Sequence, residues 1–130
     1  MYIFTLVDDV RKIIELLKNQ HGDFSLAMLY NSGSLQAPSS WNLIVSAAWA
    51  DKMGIAETTH LIAKALAENL DLQDKAAISR ITVLKTSDPF VRDMTKLYPV
   101  SGPDGTPLST VTAGEVSEGS AFVLYSRRAA

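Results

Sequence analysis

Hydrophobic residues recur at two different spacings along this chain, and the spacing separates predicted helices from predicted strands. In two segments they lie three and four positions apart, which places them on one face of a helix. The first predicts a helix over about residues 5–20, with Thr5 as its N-cap and Gly22 as its stop signal. The second predicts a helix over about residues 55–70. The apolar stripes are Leu6, Val10, Ile13, Ile14 and Leu17, then Ile55, Ile62, Leu66 and Leu70.

Two segments between these helices have the pattern of β-strands. Residues 24–30 alternate bulky and smaller side chains, which is a period of two. Residues 41–48 are apolar on both faces apart from Asn42 and Ser46. A strand that is covered on both sides has this pattern, so we predict an interior position for it. We expect the two strands to pair antiparallel across the polar connector 31–40, which is too long for a tight hairpin.

The second half of the chain contains shorter predicted elements. Ser87-Asp88-Pro89 is a typical helix start, because a capping side chain precedes a proline at the first helical position. Residues 99–120 hold four of the seven glycines and three of the five prolines, which predicts a turn-rich edge of the sheet. The remaining predicted elements are a short helical piece at 73–78, a strand at 80–86, a helix ending before Pro99, an edge strand at 108–112 and a last strand at 121–126.

Together these elements predict an α+β fold in a single domain, residues 1–130. The expected architecture is a mixed or mostly antiparallel sheet of four to six strands packed with two or three helices. The expected order is α-β-β-α-(α)-β-α-(β)-β. The sequence shows no internal repeat and no domain boundary.

Composition narrows the classes of function. There is no cysteine, which excludes disulfides, thiolate metal sites and cysteine nucleophiles. The net charge is -2 and acids and bases are interspersed along the chain, so we predict no nucleic-acid partner. No apolar run approaches the ~20 residues of a membrane span. The N-terminus lacks a basic leader and its apolar run is short for a signal peptide. We therefore expect a soluble, cytoplasmic protein without membrane contact.

The connector 31–40 is the best candidate for a binding site. Glycine would let the backbone approach a ligand closely, and serine hydroxyls would donate hydrogen bonds to an anion or another small molecule. A second interpretation is a solvated connector, since loops are polar wherever they are exposed. Trp41 would line the site or belong to the core, and Arg92 would bind an anion or pair with Asp88 on a helix surface. The candidate ligand-binding residues are Asn31, Ser32, Ser34, Ser39, Ser40, Trp41 and Arg92.

One local resemblance concerns the same segment. Gly33-Ser34 after a strand, followed by a polar stretch and Trp41-Asn42-Leu43-Ile44-Val45, resembles the signature of nucleotidyltransferases. In that family a Gly-Ser pair precedes a strand whose paired aspartates hold magnesium. Positions 40–43 of this chain carry no carboxylate, and two-metal phosphoryl transfer needs acidic oxygens. The resemblance therefore implies a degenerate relative that retains nucleotide binding without catalysis.

No segment supplies a catalytic set, so we predict no catalytic residue, no metal and no cofactor. His21 lies at a helix end and His60 on a polar helix face, far apart in the sequence. The favoured hypothesis is a non-catalytic interaction module that binds a protein partner or a second copy of itself through the turn-rich edge. The alternative is a domain that binds a small ligand or nucleotide through residues 31–41. An enzyme whose Asp51, Asp88, Asp93 and Arg92 converge in space is the third possibility.

Overall fold

The chain folds into three layers, with a mixed sheet between three helices on one face and one described helix on the other. A computed structural model describes residues 2–31, 41–71, 75, 77–97, 106–108 and 120–126. The strands are β1 Leu26–Asn31, β2 Trp41–Ser46, β3 Ile78–Val83, β4 Thr106–Leu108 and β5 Ser120–Ser126. The described helices are α1 Tyr2–His21, α2 Ala48–Met53, α3 Ile55–Asn69 and α4 Pro89–Leu97. The predicted α+β class and the order of its elements are confirmed.

The five strands lie side by side in the order β3-β2-β1-β5-β4. β1 pairs antiparallel with β2 and with β5, and β4 pairs antiparallel with β5. β2 and β3 are parallel, which requires a crossover connection, and α2 with α3 supplies it. The predicted antiparallel pairing across 31–40 and the interior position of β2 are therefore both confirmed.

Both faces of the sheet are buried, but by different helices. Alternate residues of β1 and β2 point to opposite faces, so Ala27 and Leu43 join one core while Met28 and Ile44 join the other. The larger core lies against α1, α2 and α3, and includes Val10, Ile14 and Ile62 at 0% exposure. The smaller core lies against α4, whose buried hydrophobic residues Phe90, Val91 and Met94 belong to it.

Several predicted boundaries are wrong in informative ways. α1 begins at Tyr2, so Thr5 lies inside the helix and is not its N-cap. The short helix α2 was not predicted, because the apolar run of β2 continues past Ser46 and six residues are too few for a helical period. The strand predicted at 80–86 is displaced to 78–83, since Thr86 lies in a turn instead.

Two predicted elements fall partly outside the described residues. Of the helical piece predicted at 73–78, residues 75 and 77 are helical and Ile78 already belongs to β3. The edge strand predicted at 108–112 corresponds to β4, which lies earlier in the chain, and residues 109–112 are outside the described ranges. The hypothesis of a short strand at the sheet edge is therefore supported only at Thr106–Leu108.

Candidate functional site

The predicted ligand loop is anchored at the end of the sheet where β1 and β2 meet. Asn31 is the last residue of β1 and Trp41 is the first residue of β2. The four serines of the loop, Ser32, Ser34, Ser39 and Ser40, lie outside the described residues. Their role in binding therefore stays a prediction.

The side chain of Trp41 lies in the larger core. It is 2% exposed and packs among the residues between the sheet and α1–α3. Its backbone carbonyl accepts a hydrogen bond of 3.4 Å from the Ser79 hydroxyl, next to a bulge where β3 pairs with β2. Trp41 thus joins the loop to the core, and its indole is buried against protein in the described structure.

Arg92 lies on α4, where it borders a cleft with a volume of about 660 Å³. The cleft runs between α4, the turn before it and the residue that precedes β1. The described lining contains neither Asn31 nor Trp41, so the structure does not bring these two residues together with Arg92 there. The lining residues are Ser25, Thr86, Ser87, Pro89, Val91, Arg92, Asp93, Thr95 and Lys96.

Two carboxylates hold the turn that forms one wall of this cleft. Asp51 on α2 accepts hydrogen bonds from Thr86, from the hydroxyl at 2.6 Å and from the backbone N–H at 3.2 Å. Asp88 caps α4, because its Oδ1 accepts a bond of 2.8 Å from the backbone N–H of Phe90. The predicted capping role of Asp88 is confirmed. The hypothesis that Asp51 and Asp88 are catalytic finds no support in these bonds, since each has a structural partner.

A row of polar side chains crosses the α4 face of the sheet next to the 31–40 connector. Tyr30 is the register partner of Asn42, and Asn42 is the register partner of Arg80. The Thr82 hydroxyl donates a hydrogen bond of 3.0 Å to Asn42 Oδ1. Burial raises the pKa of the Tyr30 phenol above its ordinary value. The sequence did not reveal this row, because strand register is needed to assemble it.

The two edges of the sheet differ in their protection. β4 is three residues long and contains Pro107, which has no backbone N–H to offer an added strand. β3 is six residues long and contains no proline, and among the described strands it pairs only with β2. The sequence predicted an accessible edge at 99–120, and most of that segment lies outside the described residues. Within the described sheet, β3 is a second edge that the sequence did not predict.

An apolar groove lies beside β3. Its volume is about 280 Å³, and its walls come from the outer face of α3 and from β3. Partly buried Ile78 and Ile81 contact the larger core and also line this groove. The remaining lining residues are Ala63, Leu66, Ala67, Leu70, Lys75, Ser79 and Arg80.

Comparison with protein-family models, with curated proteins and with solved structures yields no match. Within the described ranges, no group of three or more His, Asp or Glu side chains could hold a metal ion. None of the described helices is long and apolar enough to cross a membrane. Any assignment of function therefore depends on the geometry of the cleft, the polar row and the β3 edge.

Proposed function

We propose that this chain is an interaction module that binds a second copy of itself through the β3 edge and the groove beside α3. The observation that carries the proposal is that a proline-free edge strand adjoins an apolar groove. An edge strand offers backbone hydrogen bonds to an added strand, and an adjacent groove offers side-chain burial. The proposal commits to a second copy because β3 is complementary to itself in one particular register.

The backbone of β3 sets that register. The N–H of Leu84 donates a hydrogen bond of 2.9 Å to the carbonyl of Val45. Because backbone direction alternates along a strand, the N–H and C=O groups of Thr82 and Arg80 also point toward β2. Ile81 and Val83 consequently turn their N–H and C=O groups away from β2. If two β3 strands pair antiparallel about a twofold axis at Thr82, Ile81 of each copy faces Val83 of the other. The N–H and C=O groups of Ile81 and Val83 in each copy then all form hydrogen bonds with the other copy.

The side chains suit the same register. Ile81 and Val83 lie on the α3 face, where β-branched residues of the two copies would pack against each other. On the opposite face Thr82 would meet Thr82, a favourable cross-strand pair. Arg80 would lie opposite Leu84, so the two arginines are kept apart. The bulge at Ser79 disfavours an axis at Ile81, which would place Ser79 opposite Val83.

The groove supplies the area that a short strand pair lacks. A stable interface buries at least about 1,000 Å², which exceeds what one pair of short strands provides. In the proposed dimer both α3 helices lie on the same side of a continuous sheet, each beside the groove of the other copy. Ala63 and Ala67 are exposed on that side of α3, and their small side chains permit close approach of the helices.

Opposite charges at Thr82 provide a direct test. We expect the natural chain to dimerise, and Thr82→Lys and Thr82→Glu each to be monomeric, because like charges would meet at the axis. An equimolar mixture of the two variants should form a heterodimer. Sedimentation velocity over a range of concentrations measures all four samples. A natural chain that stays monomeric at the highest concentration, or a mixture that fails to associate, would contradict the proposal.

A matched pair of substitutions on α3 tests the contribution of the groove. Ala67→Glu places a charge on its wall, whereas Ala56→Glu places the same charge at an exposed position in the first turn of the same helix. Glutamate is a good helix former, so both monomers should keep their stability. We expect only Ala67→Glu to weaken dimerisation. Equal dimerisation of the two variants would exclude the groove from the interface.

A further inference from the structure

We propose that the cleft beside α4 binds a small phosphorylated molecule, with Arg92 and Lys96 holding the phosphate group. This inference is independent of the β3 edge, which is built from other residues. It also differs from the hypothesis of a ligand in the 31–40 connector, because Arg92 is the one candidate residue of that hypothesis found in the described lining of the cleft.

The size of the cleft suits a small organic molecule. Its volume of about 660 Å³ lies within the range of roughly 300–1,000 Å³ that is usual for ligand pockets. An inorganic phosphate ion would occupy only a small part of it. The cleft also has apolar lining from Pro89 and Val91, so the organic part of a ligand has a surface to contact.

The charges on α4 favour a dianion. Arg92 and Lys96 are both exposed and lie four residues apart, which places them on the same face of the helix. Within the described residues, neither forms an ion pair with an acid. Asp93 is the single acid of the described lining and already interacts with another group. The described lining therefore carries two cations against one acid, in a chain whose net charge is -2.

A phosphate monoester uses both cations better than a carboxylate does. The planar fork of an arginine matches two oxygens of either anion, so Arg92 by itself would satisfy a carboxylate. Lys96 then supplies a second positive charge one helical turn away. A phosphate monoester carries close to two negative charges near pH 7 and offers three terminal oxygens, which can contact both side chains.

Neutral hydrogen-bond donors in the same cleft are held in place by the fold. Ser87 lies between Thr86 and Asp88, whose bonds to Asp51 and to the Phe90 N–H fix the turn. Ser25 approaches from the start of β1 and is only 5% exposed. The backbone N–H of Ser25 donates a hydrogen bond of 2.8 Å to the Ser46 carbonyl, which holds the residue in position. Both serines line the cleft, where a hydroxyl can donate a hydrogen bond to an anion.

Titration of the isotope-labelled chain with inorganic phosphate and with glycerol 3-phosphate tests this inference by NMR at constant ionic strength. We expect saturable shifts of the amides from Ser87 to Lys96, with tighter binding of the ester because it also contacts the apolar lining. Arg92→Gln and Lys96→Gln should each weaken binding about tenfold, the loss expected for one charge-assisted hydrogen bond. Lys12→Gln, an exposed site on α1, is the matched control and should bind like the natural chain.

A further variant and a vesicle assay test how Arg92 contacts the phosphate and whether the ligand is a lipid. Arg92→Lys keeps the positive charge but loses the planar guanidinium that can contact two oxygens. The affinity of this variant for phosphate should therefore fall between those of the natural chain and Arg92→Gln. Vesicles that contain phosphatidic acid distinguish a lipid headgroup from a free metabolite, and we expect no binding to them. Binding to vesicles alone, linear shifts without saturation, or equal affinities of Arg92→Gln and Lys12→Gln would each overturn the proposal. The Thr82→Lys variant should bind phosphate normally, so failure of dimerisation and failure of this site are distinguishable.

Discussion

Gly22 shows how much a single residue decides in this fold. Its φ of +128° lies in the region that favours glycine, and its N–H closes α1 with a bond of 2.9 Å to the Lys18 carbonyl. Its own carbonyl accepts a hydrogen bond of 3.0 Å from the Trp49 indole N–H. The same indole stacks on His21 with ring centroids 4.9 Å apart and meets Phe24 edge-on at 5.5 Å. The side chain of Trp49 therefore connects the end of α1 to α2.

Substitution of this glycine should destabilise the protein. Gly22→Ala forces a side chain into a positive φ and brings its Cβ within 3.3 Å of Trp49 Cδ1. We expect a loss of about 1–3 kcal/mol in the free energy of unfolding, measured by urea denaturation. Gly54→Ala is the control, since Gly54 has a φ of +102° but open space around it. A Gly22→Ala variant that is more stable than Gly54→Ala would contradict the role of the Trp49 contact.

Tyr30 gives a prediction about alkaline pH. Because burial raises its pKa in the folded state, the unfolded chain loses this proton first as the pH rises past about 10. Above that pH, ionisation of Tyr30 in the unfolded state lowers the stability of the fold, and below it Tyr30 makes no pH-dependent contribution. The natural chain should therefore lose more thermal stability between pH 9 and pH 11 than Tyr30→Phe does.

Absorbance at 295 nm provides the independent check. The chain has four tyrosines, so the difference between the titrations of the natural chain and Tyr30→Phe isolates the phenol at position 30. We expect its midpoint above about 10, the value of an unperturbed tyrosine. A midpoint at or below that value would remove the burial argument.

At the scale of elements, α4 depends on the residue before its first turn. Pro89 is at the first helical position, where its missing N–H costs nothing, and Asp88 satisfies the N–H of Phe90. The turn before it is tied to α2 by the bonds between Asp51 and Thr86. α4 in turn buries Phe90, Val91 and Met94 against the sheet, so its start and its packing are set by separate contacts.

Removal of the cap should cost stability without changing the fold. We expect Asp88→Ala to lower the free energy of unfolding by about 0.5–2 kcal/mol, because an N–H of the first turn loses its partner. Asp88→Asn keeps a capping oxygen and should remain close to the natural chain, which makes it the matched control. Urea denaturation measures both, and a full loss in Asp88→Asn would indicate that charge, not capping, is responsible.

At the scale of the whole molecule, much of the architecture could be predicted from residue patterns. The alternation in 24–30 and the double-sided apolar run at 41–48 predicted two paired strands, and both faces of β1 and β2 are indeed buried. The spacing of Ile62 and Leu66 predicted α3 to within one residue of its bounds. These predictions succeeded because burial of one face imposes a period that the sequence must carry.

Other features could not be predicted because they depend on which strands become neighbours. The cleft brings Ser25 to Arg92 and Lys96, and the polar row brings Tyr30 to Asn42 and Arg80, across long stretches of chain. Lys96 carried a usable signal, since it lies four residues after Arg92 in a predicted helix. No such signal existed for Ser25, whose position depends on the start of β1.

The sequence by itself determined the class of fold, the order of its main elements and the cap of α4, because periodicity, capping and turn chemistry act over a few neighbouring residues. Only the tertiary structure decided that β2 and β3 run parallel, that β3 is an edge of the described sheet, and that α4 covers the opposite face from α1–α3. The physical reason is that strand order and layer assignment minimise exposed apolar surface over the whole chain, and no short segment contains that information.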